Sequence, residues 1–351
     1  MGGKCFNTER LNKDKYNNTL SLFRMALLEH SINIEDIPYF RNKDSFGDID
    51  VITTSEQIGN LGDMWVEILT STLDKYSSTK TIAKQGGGVK SFLFDGAQVD
   101  LIYVPERVYS RTYDMLSWND LSGFVGILLR SIGIKLSNKK GICVNINKNT
   151  NYSLSHTVFI ELDLPIDIAL ELCGLSVTRF RKGFDTLEEI FDYVTDSPLY
   201  EYGMFSFENG NNKHRQRNKA RGTFKAMLEF CSRYKYSKNV TRKVLTNNDY
   251  VIELGKLIGD DTLLDRVYEY GNIAHIKQSV TQIISTTRKQ AISDVILLLY
   301  PDMDFSDSKD YNKFLGTFYR NNIINSGMSI DEICNNMVEH RLTNIGEGNE
   351  L

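Results

Sequence analysis

The chain has 351 residues, of which 41% are hydrophobic and 25% are charged, as in an ordinary globular protein of two or three domains. Its net charge of −4 excludes a surface that is positive throughout, so a nucleic-acid contact would need a local basic patch. Five scattered cysteines without a CxxC pair exclude a cysteine-rich zinc site and a disulfide framework, and they favour the cytoplasm. We expect no membrane span and no signal peptide, because no apolar run has the required length.

The beginning of the chain predicts a small mixed α/β domain over residues 1–112. Hydrophobic periodicity predicts a helix over Thr19–His30 and a strand over Ser45–Thr53. It then predicts a second helix over Gln57–Lys75 and a two-stranded hairpin over Val89–Val104. Asp95-Gly96 has the sequence of a tight hairpin turn between the last two strands.

The rest of the chain predicts a central domain over 113–235 and a helical domain over 236–351. In the central domain, alternating apolar residues across Gly141–Leu162 predict a β-hairpin insert between helices. The predicted fold class is therefore α+β, with a small mixed sheet, a hairpin insert and a mostly helical C-terminal part.

The most informative motif is Gly47-Asp48-Ile49-Asp50. On a β-strand, residues i and i+2 share a face, so Asp48 and Asp50 would project side by side while Ile49 points into the core. Two adjacent carboxylates are costly unless a positive group neutralises them. Mg²⁺ or Mn²⁺ would do so, because hard divalent cations prefer oxygen ligands.

A third carboxylate, Asp100, is the only charge in the apolar run Gln98–Val104. A lone acid on such a strand needs a partner or a metal, since burying an unpaired charge is expensive. Asp100 is therefore a third carboxylate that strengthens the case for a bound cation.

A Gly-Asp-x-Asp motif followed by a single aspartate on a later strand resembles the three-carboxylate pattern of the DNA polymerase β-type nucleotidyltransferases. Gly2–Phe6 and Phe184–Arg221 are similar to a subgroup encoded by bacteriophages and other viruses. The resemblance implies a palm-like catalytic domain, acting in the host cytoplasm if the gene is viral. It also implies that Asp48, Asp50 and Asp100 hold two Mg²⁺ ions and transfer an NMP from ATP or another NTP to an acceptor hydroxyl.

The stretch before the motif departs from that family. Its members carry a Gly-Ser or Gly-Gly pair there, whose backbone N–H groups hold the triphosphate. Residues 37–44 contain no glycine and include a proline, which has no N–H group. Arg41 and Lys43 could instead neutralise phosphate, with Ser45 and Gly47 beside it. They could equally be solvated loop cations, and the sequence leaves both readings open.

A basic segment without acidic residues provides a candidate phosphate or nucleic-acid patch, consisting of Lys213, Arg215, Arg217, Arg221 and Lys225. Arg217, Arg221 and Lys225 recur every four residues and would line one face of a helix. Such a stripe can bind a phosphate backbone. The alternative is a solvated helix face.

The function predicted from these features is metal-dependent nucleotidyl transfer from an NTP. An RNA 3′ end, a tRNA, a protein hydroxyl and a small molecule all suit this chemistry as acceptors. Two alternatives stay open: a catalytically impaired relative that serves as a binding or scaffold protein, and a toxin-like enzyme that modifies host RNA or protein. The sequence leaves the oligomeric state and the base preference undetermined.

Overall fold

The computed structural model describes residues 5–86, 89–209, 212–233 and 245–299. These residues form helices together with a sheet that has both parallel and antiparallel strands, which confirms the predicted α+β class.

The described part of the chain contains the following strands: β1 Leu11–Asn12, β2 Glu35–Asp36, β3 Ser45–Phe46, β4 Ile49–Thr54, β5 Ile82–Gly86, β6 Val89–Phe94, β7 Ala97–Val104, β8 Ile134–Ser137, β9 Gly141–Asn145 and β10 Phe159–Leu162. Its α-helices are α1 Lys13–Leu28, α2 Ser55–Gly59, α3 Trp65–Asp74, α4 Glu106–Leu116, α5 Leu121–Ser131, α6 Ile146–Asn149, α7 Ile166–Leu172, α8 Val177–Lys182, α9 Leu187–Thr195, α10 Asn212–Lys219, α11 Gly222–Arg233, α12 Asn247–Ile258 and α13 Leu263–Leu299.

The chain divides into two compact units. The first is drawn from Met1–Asn151 and Thr157–Gly271, and the second from Tyr152–His156 and Asn272–Leu351. The principal sheet and the predicted site residues whose side chains are described all belong to the first unit. The domain limits predicted at 112 and 235 stay predictions.

The principal sheet has five strands in the order β2-β4-β7-β6-β5. Strands β4 and β7 are parallel, and the other neighbouring pairs are antiparallel. The hairpin from β6 to β7 turns at Asp95 and Gly96, whose φ angles of 47° and 76° are those of a two-residue type I′ turn. The predicted hairpin is therefore confirmed.

Helices α1 and α3 cover one face of this sheet. Their Phe23 and Leu73 pack in one hydrophobic core with Ile49 and Val99, and all four are fully buried. Helix α4, which was not predicted from the sequence, covers the other face of the sheet. It packs against Ile52 and Ile102, which project from β4 and β7 on that face. The buried apolar positions thus orient β4 and β7 and place their acidic residues on the α4 side.

Two predicted elements are interrupted in the structure. The strand predicted over Ser45–Thr53 is broken, because β3 pairs with β1 outside the principal sheet and Gly47 and Asp48 lie between β3 and β4. The helix predicted over Gln57–Lys75 is divided into α2 and α3 by a loop in which Gly62 has φ +68°. A left-handed glycine ends helical geometry locally.

The predicted hairpin insert is confirmed and extended. Strands β9 and β10 pair antiparallel with Val144 opposite Ile160, and β8 adds a third strand on the other edge of β9. A short helix, α6, begins the connection between β9 and β10. The basic segment is divided into α10 and α11 instead of forming one continuous helix, with the break before Gly222.

Candidate metal and phosphate site

Asp50 and Asp100 lie directly opposite each other on the parallel strands β4 and β7. Neighbouring strands are about 4.8 Å apart, so residues in this register project side by side from the same face. Their neighbours Ile49 and Val99, which are also paired in register, are fully buried on the opposite face. Burial of these apolar residues therefore fixes the orientation of both acids.

Asp48 reaches the same point from outside the strand. It follows Gly47 in the bend before β4, so the predicted side-by-side placement on one strand is corrected. One carboxylate oxygen from each of Asp48, Asp50 and Asp100 nevertheless lies within 4.8 Å of the others. The predicted convergence of the three acids is confirmed, and their binding of a metal stays a prediction.

The charges in this cluster oppose one another. Asp50 is exposed to solvent, yet protein atoms surround its carboxyl group closely enough to hinder hydration of the charge. This enclosure, with repulsion from Asp48 and Asp100, raises the pKa of Asp50 to about 7, against a smaller opposite effect of Lys43. A cation bound at this cluster would relieve the repulsion between the carboxylates.

Gln98 positions Asp100, through a contact that was not predicted from the sequence. The buried Gln98 amide donates hydrogen bonds of 3.0 and 3.1 Å to the two carboxylate oxygens of Asp100. The backbone N–H of Cys5 in turn donates to the Gln98 carbonyl at 3.0 Å. Gln98 and Asp100 are two residues apart on β7, and residues at this spacing on a strand share a face. This spacing is the sequence signal from which the contact could have been predicted.

The cluster opens into a cleft of about 290 Å³. Asp48 and Asp50 line it, whereas Asp100 is not among its lining residues. Further walls come from Tyr16, the loop before β3, the N-terminal end of α5 and two arginines of the basic segment, Arg217 and Arg221. The cleft therefore places carboxylates and cations around one space.

Lys43 and Arg41 have different surroundings. Lys43 lines the cleft and lies over the rings of Phe46 and Tyr39, at 4.8 and 5.4 Å from their centroids. Partial burial lowers its pKa, although Asp48 and Asp50 act in the opposite direction.

Arg41, predicted with Lys43 as a phosphate ligand, is instead tied to the segment after α8. It forms an ion pair with Asp185, and its guanidinium donates to the Lys182 carbonyl. It is not among the residues that line the cleft. Ser45 also makes a protein contact, since its hydroxyl accepts a 2.7 Å hydrogen bond from Arg10. Gly47 lies between the two lining residues Phe46 and Asp48.

The structure separates the members of the basic segment. Arg217 and Arg221 line the cleft, whereas Lys225 lies on α11 and does not. Arg215 lies 3.7 Å from Glu208, and the side chain of Lys213 lies outside the described residues. The single stripe predicted for Arg217, Arg221 and Lys225 is therefore corrected, because the chain leaves the helix between α10 and α11.

Arg221 is also anchored by an ion pair with Asp120, the residue before α5. Both side chains are mostly buried, at 20% and 23% exposure. Its Nε atom is buried without a hydrogen-bond partner among the described residues. Because this atom is buried, it could reach a ligand only if the side chain moved.

Asn119 supplies a second unsatisfied polar atom in the cleft wall. Trp118 and Asn119 have left-handed φ angles of 61° and 63°, a conformation that costs energy for residues other than glycine. The buried Oδ1 of Asn119 has no hydrogen-bond partner among the described residues. A buried polar atom without a partner needs an explanation, and a bound water, ion or ligand at the cleft wall would supply one.

Searches of protein-family models and of curated protein sequences find no match to this chain. Within the described residues, none of the helices combines the length and the hydrophobicity that crossing a membrane requires.

Proposed function

We propose that the protein is a metal-dependent nucleotidyltransferase that moves an NMP from an NTP to an acceptor hydroxyl. The observation that supports this most strongly is the convergence of Asp48, Asp50 and Asp100 within 4.8 Å, beside a cleft that is also lined by lysine and arginine side chains. This arrangement has the elements of phosphoryl chemistry, since carboxylates can hold metal ions while cations neutralise phosphates.

The donor set fits Mg²⁺ or Mn²⁺. All three residues are carboxylates, which are hard oxygen donors, and enclosure of the Asp50 carboxyl group together with repulsion from Asp48 and Asp100 raises the pKa of Asp50. Divalent ions held there would polarise the transferred phosphate and increase the acidity of the acceptor hydroxyl. Gln98 would hold the Asp100 carboxylate in a fixed orientation for this role.

Side chains of this chain would bind the triphosphate. Lys43 lies over two aromatic rings at the cleft, and Arg217 and Arg221 line the cleft from α10 and the segment that follows. Arginine suits this task because its planar donors match phosphate oxygens. Arg221 and Asn119 also line the cleft, and a bound nucleotide would satisfy the buried Nε of Arg221 and the buried Oδ1 of Asn119 if these side chains turned toward it.

The alternative of a catalytically impaired binding or scaffold protein is favoured by one observation. Pro38 and Tyr39 line the cleft in the region where related enzymes use glycine backbone N–H groups. Binding of the phosphates would then depend on side chains alone. A relative that had lost its activity would still have a nucleotide-binding cleft.

The proposed location is the cytoplasm, and the buried free cysteines Cys143, Cys173 and Cys231 are compatible with it.

The test is binding and transfer with each of the four NTPs. We expect Mg²⁺-dependent NTP binding by calorimetry and transfer of label from an α-³²P-labelled NTP to an acceptor. Asp50→Asn should abolish transfer, and Asp44→Asn, which changes an exposed acid outside the cluster, should not. Binding without any transfer to RNA, protein or small-molecule hydroxyls would favour the scaffold alternative. Absence of NTP binding would contradict both.

A further inference from the structure

We infer that the chain segment at residues 5–6 is part of the metal site, because its backbone fixes the Gln98 amide and, through this amide, the Asp100 carboxylate. Cys5 and Gln98 both act through Asp100 and are therefore positioning residues. The inference rests on the proposed function, and it extends the site from the three carboxylates to the residues that hold one of them. It depends on the sheet register, the hydrogen bonds of Gln98 and the contacts of Lys84.

A row of polar residues crosses the principal sheet at the aspartate cluster. Asp50 lies opposite Asp100, and Asp100 lies opposite Ser91 on β6. Ser91 in turn lies opposite Lys84 on β5. Residues that are paired in register project from the same face of a sheet. The face that carries the two aspartates therefore also carries Lys84, three strands away from Asp50.

Gln98 is a polar residue in a neighbouring row that is otherwise apolar. Its register partner on β6 is Leu93, and the partner of Leu93 on β5 is Ile82. The Gln98 side chain is buried, so its amide needs hydrogen-bond partners within the protein. It has a partner at each end, since its Nε2 donates to both Asp100 oxygens and its Oε1 accepts from the backbone N–H of Cys5.

The Cys5 N–H determines which end of the amide faces Asp100. The two ends of a glutamine amide are similar in shape, but the oxygen only accepts hydrogen bonds and the nitrogen only donates them. The Cys5 N–H can pair only with the oxygen, so it directs the nitrogen of Gln98 towards Asp100. Without this donor the amide could turn over and place its oxygen against the carboxylate, which would repel it. Groups that orient a metal ligand in this way strengthen metal binding.

Lys84 holds the segment against the sheet. Its Nζ donates a 3.0 Å hydrogen bond to the Cys5 carbonyl, and it lies 4.7 Å from the centroid of the Phe6 ring. The contacts therefore lead from Lys84 through Cys5 and Gln98 to Asp100, although Cys5 and Gln98 are 93 residues apart in sequence. The position of one carboxylate of the cluster thus depends on a segment far from it in the chain.

The experiment measures Mn²⁺ affinity by calorimetry in the full-length protein, with the Tm of each variant in EDTA. Gln98→Met removes the amide and keeps the length of the side chain, Cys5→Pro removes the backbone N–H, and Lys84→Met removes the contact with the Cys5 carbonyl. Cys5→Ala is the control for Cys5→Pro, because it loses the thiol and keeps the N–H. Lys90→Met is the control for Lys84→Met, because Lys90 lies on the neighbouring strand β6 and contacts the Trp65 ring instead.

We expect Gln98→Met and Cys5→Pro each to raise the Kd for Mn²⁺ about tenfold, as the loss of a group that orients a metal ligand does. Lys84→Met should raise it by a smaller factor, and both controls should bind Mn²⁺ as the wild type does. If Gln98→Met fails to fold, the comparison of Cys5→Pro with Cys5→Ala still tests the inference.

The double variant of Cys5→Pro and Gln98→Met separates positioning from a general structural effect. If Cys5 acts through Gln98, the double variant should bind Mn²⁺ as Gln98→Met alone does, because the two effects are coupled. Effects that multiply in the double variant would overturn the route through Gln98.

Binding of Mg²⁺ and NTP by the wild type is measured in parallel, as a separate test of the proposed function. Unchanged Mn²⁺ affinity in Gln98→Met and Cys5→Pro, with NTP binding and transfer by the wild type, would overturn this inference alone. Absence of Mn²⁺ binding by the wild type would contradict the metal site, and the proposed function and this inference with it.

Discussion

Asp50 and Asp100 occupy one register position of the parallel pair β4 and β7, so their carboxylates meet on one face of the sheet. Asp48 brings a third carboxylate to the same point. Like charges in this arrangement destabilise the fold and become useful only when a cation joins them. Stability and function should therefore respond in opposite directions when one charge is removed.

The first prediction concerns Asp50→Asn. In EDTA this variant should be more stable than the wild type by about 1 kcal/mol, a value reduced for the exposure of the group to the cleft. For a folded unit of this size, that corresponds to a rise in Tm of about 2–4 °C by calorimetry. The stabilisation that Mn²⁺ or Mg²⁺ gives to the wild type should be lost, because a ligand is missing.

Asp44→Asn is the control, since it removes an exposed acid near the cluster without changing it. Its Tm in EDTA and its response to Mn²⁺ should match those of the wild type. A lower Tm of Asp50→Asn in EDTA would show that the carboxylate stabilises the fold, which contradicts the repulsion described here.

The second prediction concerns pH. Because the pKa of Asp50 is raised to about 7 in the folded protein, the folded state holds a proton between about pH 4 and 7 that the unfolded state has lost. The contribution of this group to stability is therefore fully present below pH 4 and declines as the pH rises to 7. A metal must displace the same proton, so Mn²⁺ affinity should increase up to about pH 7 and then level off.

Calorimetric Mn²⁺ titrations at several pH values, in buffers of different ionisation enthalpy, measure this proton release directly. At pH 6 the wild type should release about one proton per cluster on metal binding, and at pH 8 close to none. Mn²⁺ affinity that is constant from pH 5.5 to 8 would contradict the raised pKa of Asp50.

Local sequence chemistry allowed parts of the fold and site to be predicted. The hairpin at Asp95-Gly96 followed from its turn residues, because both adopt left-handed φ angles that this dipeptide favours. Strand alternation around Asp50 and Asp100 predicted the face that each acid occupies, whereas their convergence was expected from the resemblance of the three-carboxylate pattern. Asp48 was misplaced onto the strand, because alternation alone does not reveal that the chain bends at Gly47.

Long-range pairs could not be predicted in this way. Arg41 pairs with Asp185, which is 144 residues away in sequence, and Arg221 pairs with Asp120 at a separation of 101. No periodicity connects such residues, since each pair depends on how distant helices and loops pack. Helix α4 was missed because its buried positions include Arg111, Thr112 and Asp114 instead of an apolar stripe.

The third prediction separates Lys43 from Arg41. Lys43→Ala should weaken the binding of Mg²⁺ and NTP about tenfold or more, because it removes a cation of the cleft wall that would face the triphosphate in the proposed function. Arg41→Ala should leave NTP affinity near the wild-type value, since Arg41 contacts Asp185 and Lys182 instead of the cleft.

Calorimetric NTP titrations of both variants, with Tm values, test this difference. Arg41→Ala should lower the Tm modestly, because its ion pair is exposed and such pairs contribute about 1 kcal/mol or less. Equal losses of NTP affinity in the two variants would show that the loop acts as a unit, which would contradict a specific role of Lys43.

The fourth prediction concerns Gly183, which lies against the ring of Trp118, the residue before the cleft residue Asn119. Its φ is +80°, and a Cβ atom added there would overlap the Trp118 ring. Gly183→Ala should therefore destabilise the protein by about 2 kcal/mol or more, by combining backbone strain with a steric clash. It should also displace Trp118 and weaken NTP binding.

Gly203→Ala is the matched control for Gly183→Ala. Gly203 has φ +86°, but an added Cβ would meet no atom within 4 Å. This control should therefore show only the cost of backbone strain, about 1 kcal/mol, with unchanged NTP affinity and unchanged Trp fluorescence. Equal loss of stability in the two variants would mean that the Trp118 ring yields without cost.

The last prediction concerns Asn119, whose left-handed φ of 63° and unpartnered Oδ1 atom occur in the same cleft residue. Asn119→Gly should keep or raise the Tm, because glycine adopts this backbone conformation without strain. It should also raise the Kd for the preferred NTP about three- to tenfold, since one hydrogen bond to the ligand is lost. Asn119→Asp should weaken binding further, because it adds a negative charge beside Asp48 and Asp50.

Asn7→Gly is the control for Asn119→Gly, since Asn7 has a similar φ of 54° but does not line the cleft. It should reproduce the effect on Tm and leave all four NTP affinities unchanged. If Asn119→Gly also leaves them unchanged, the amide makes no contact with the nucleotide, and its buried oxygen serves only the turn before α5. A change in the order of preference among the four NTPs would instead assign Asn119 to recognition of the base, because loss of a contact to ribose or phosphate affects all four alike.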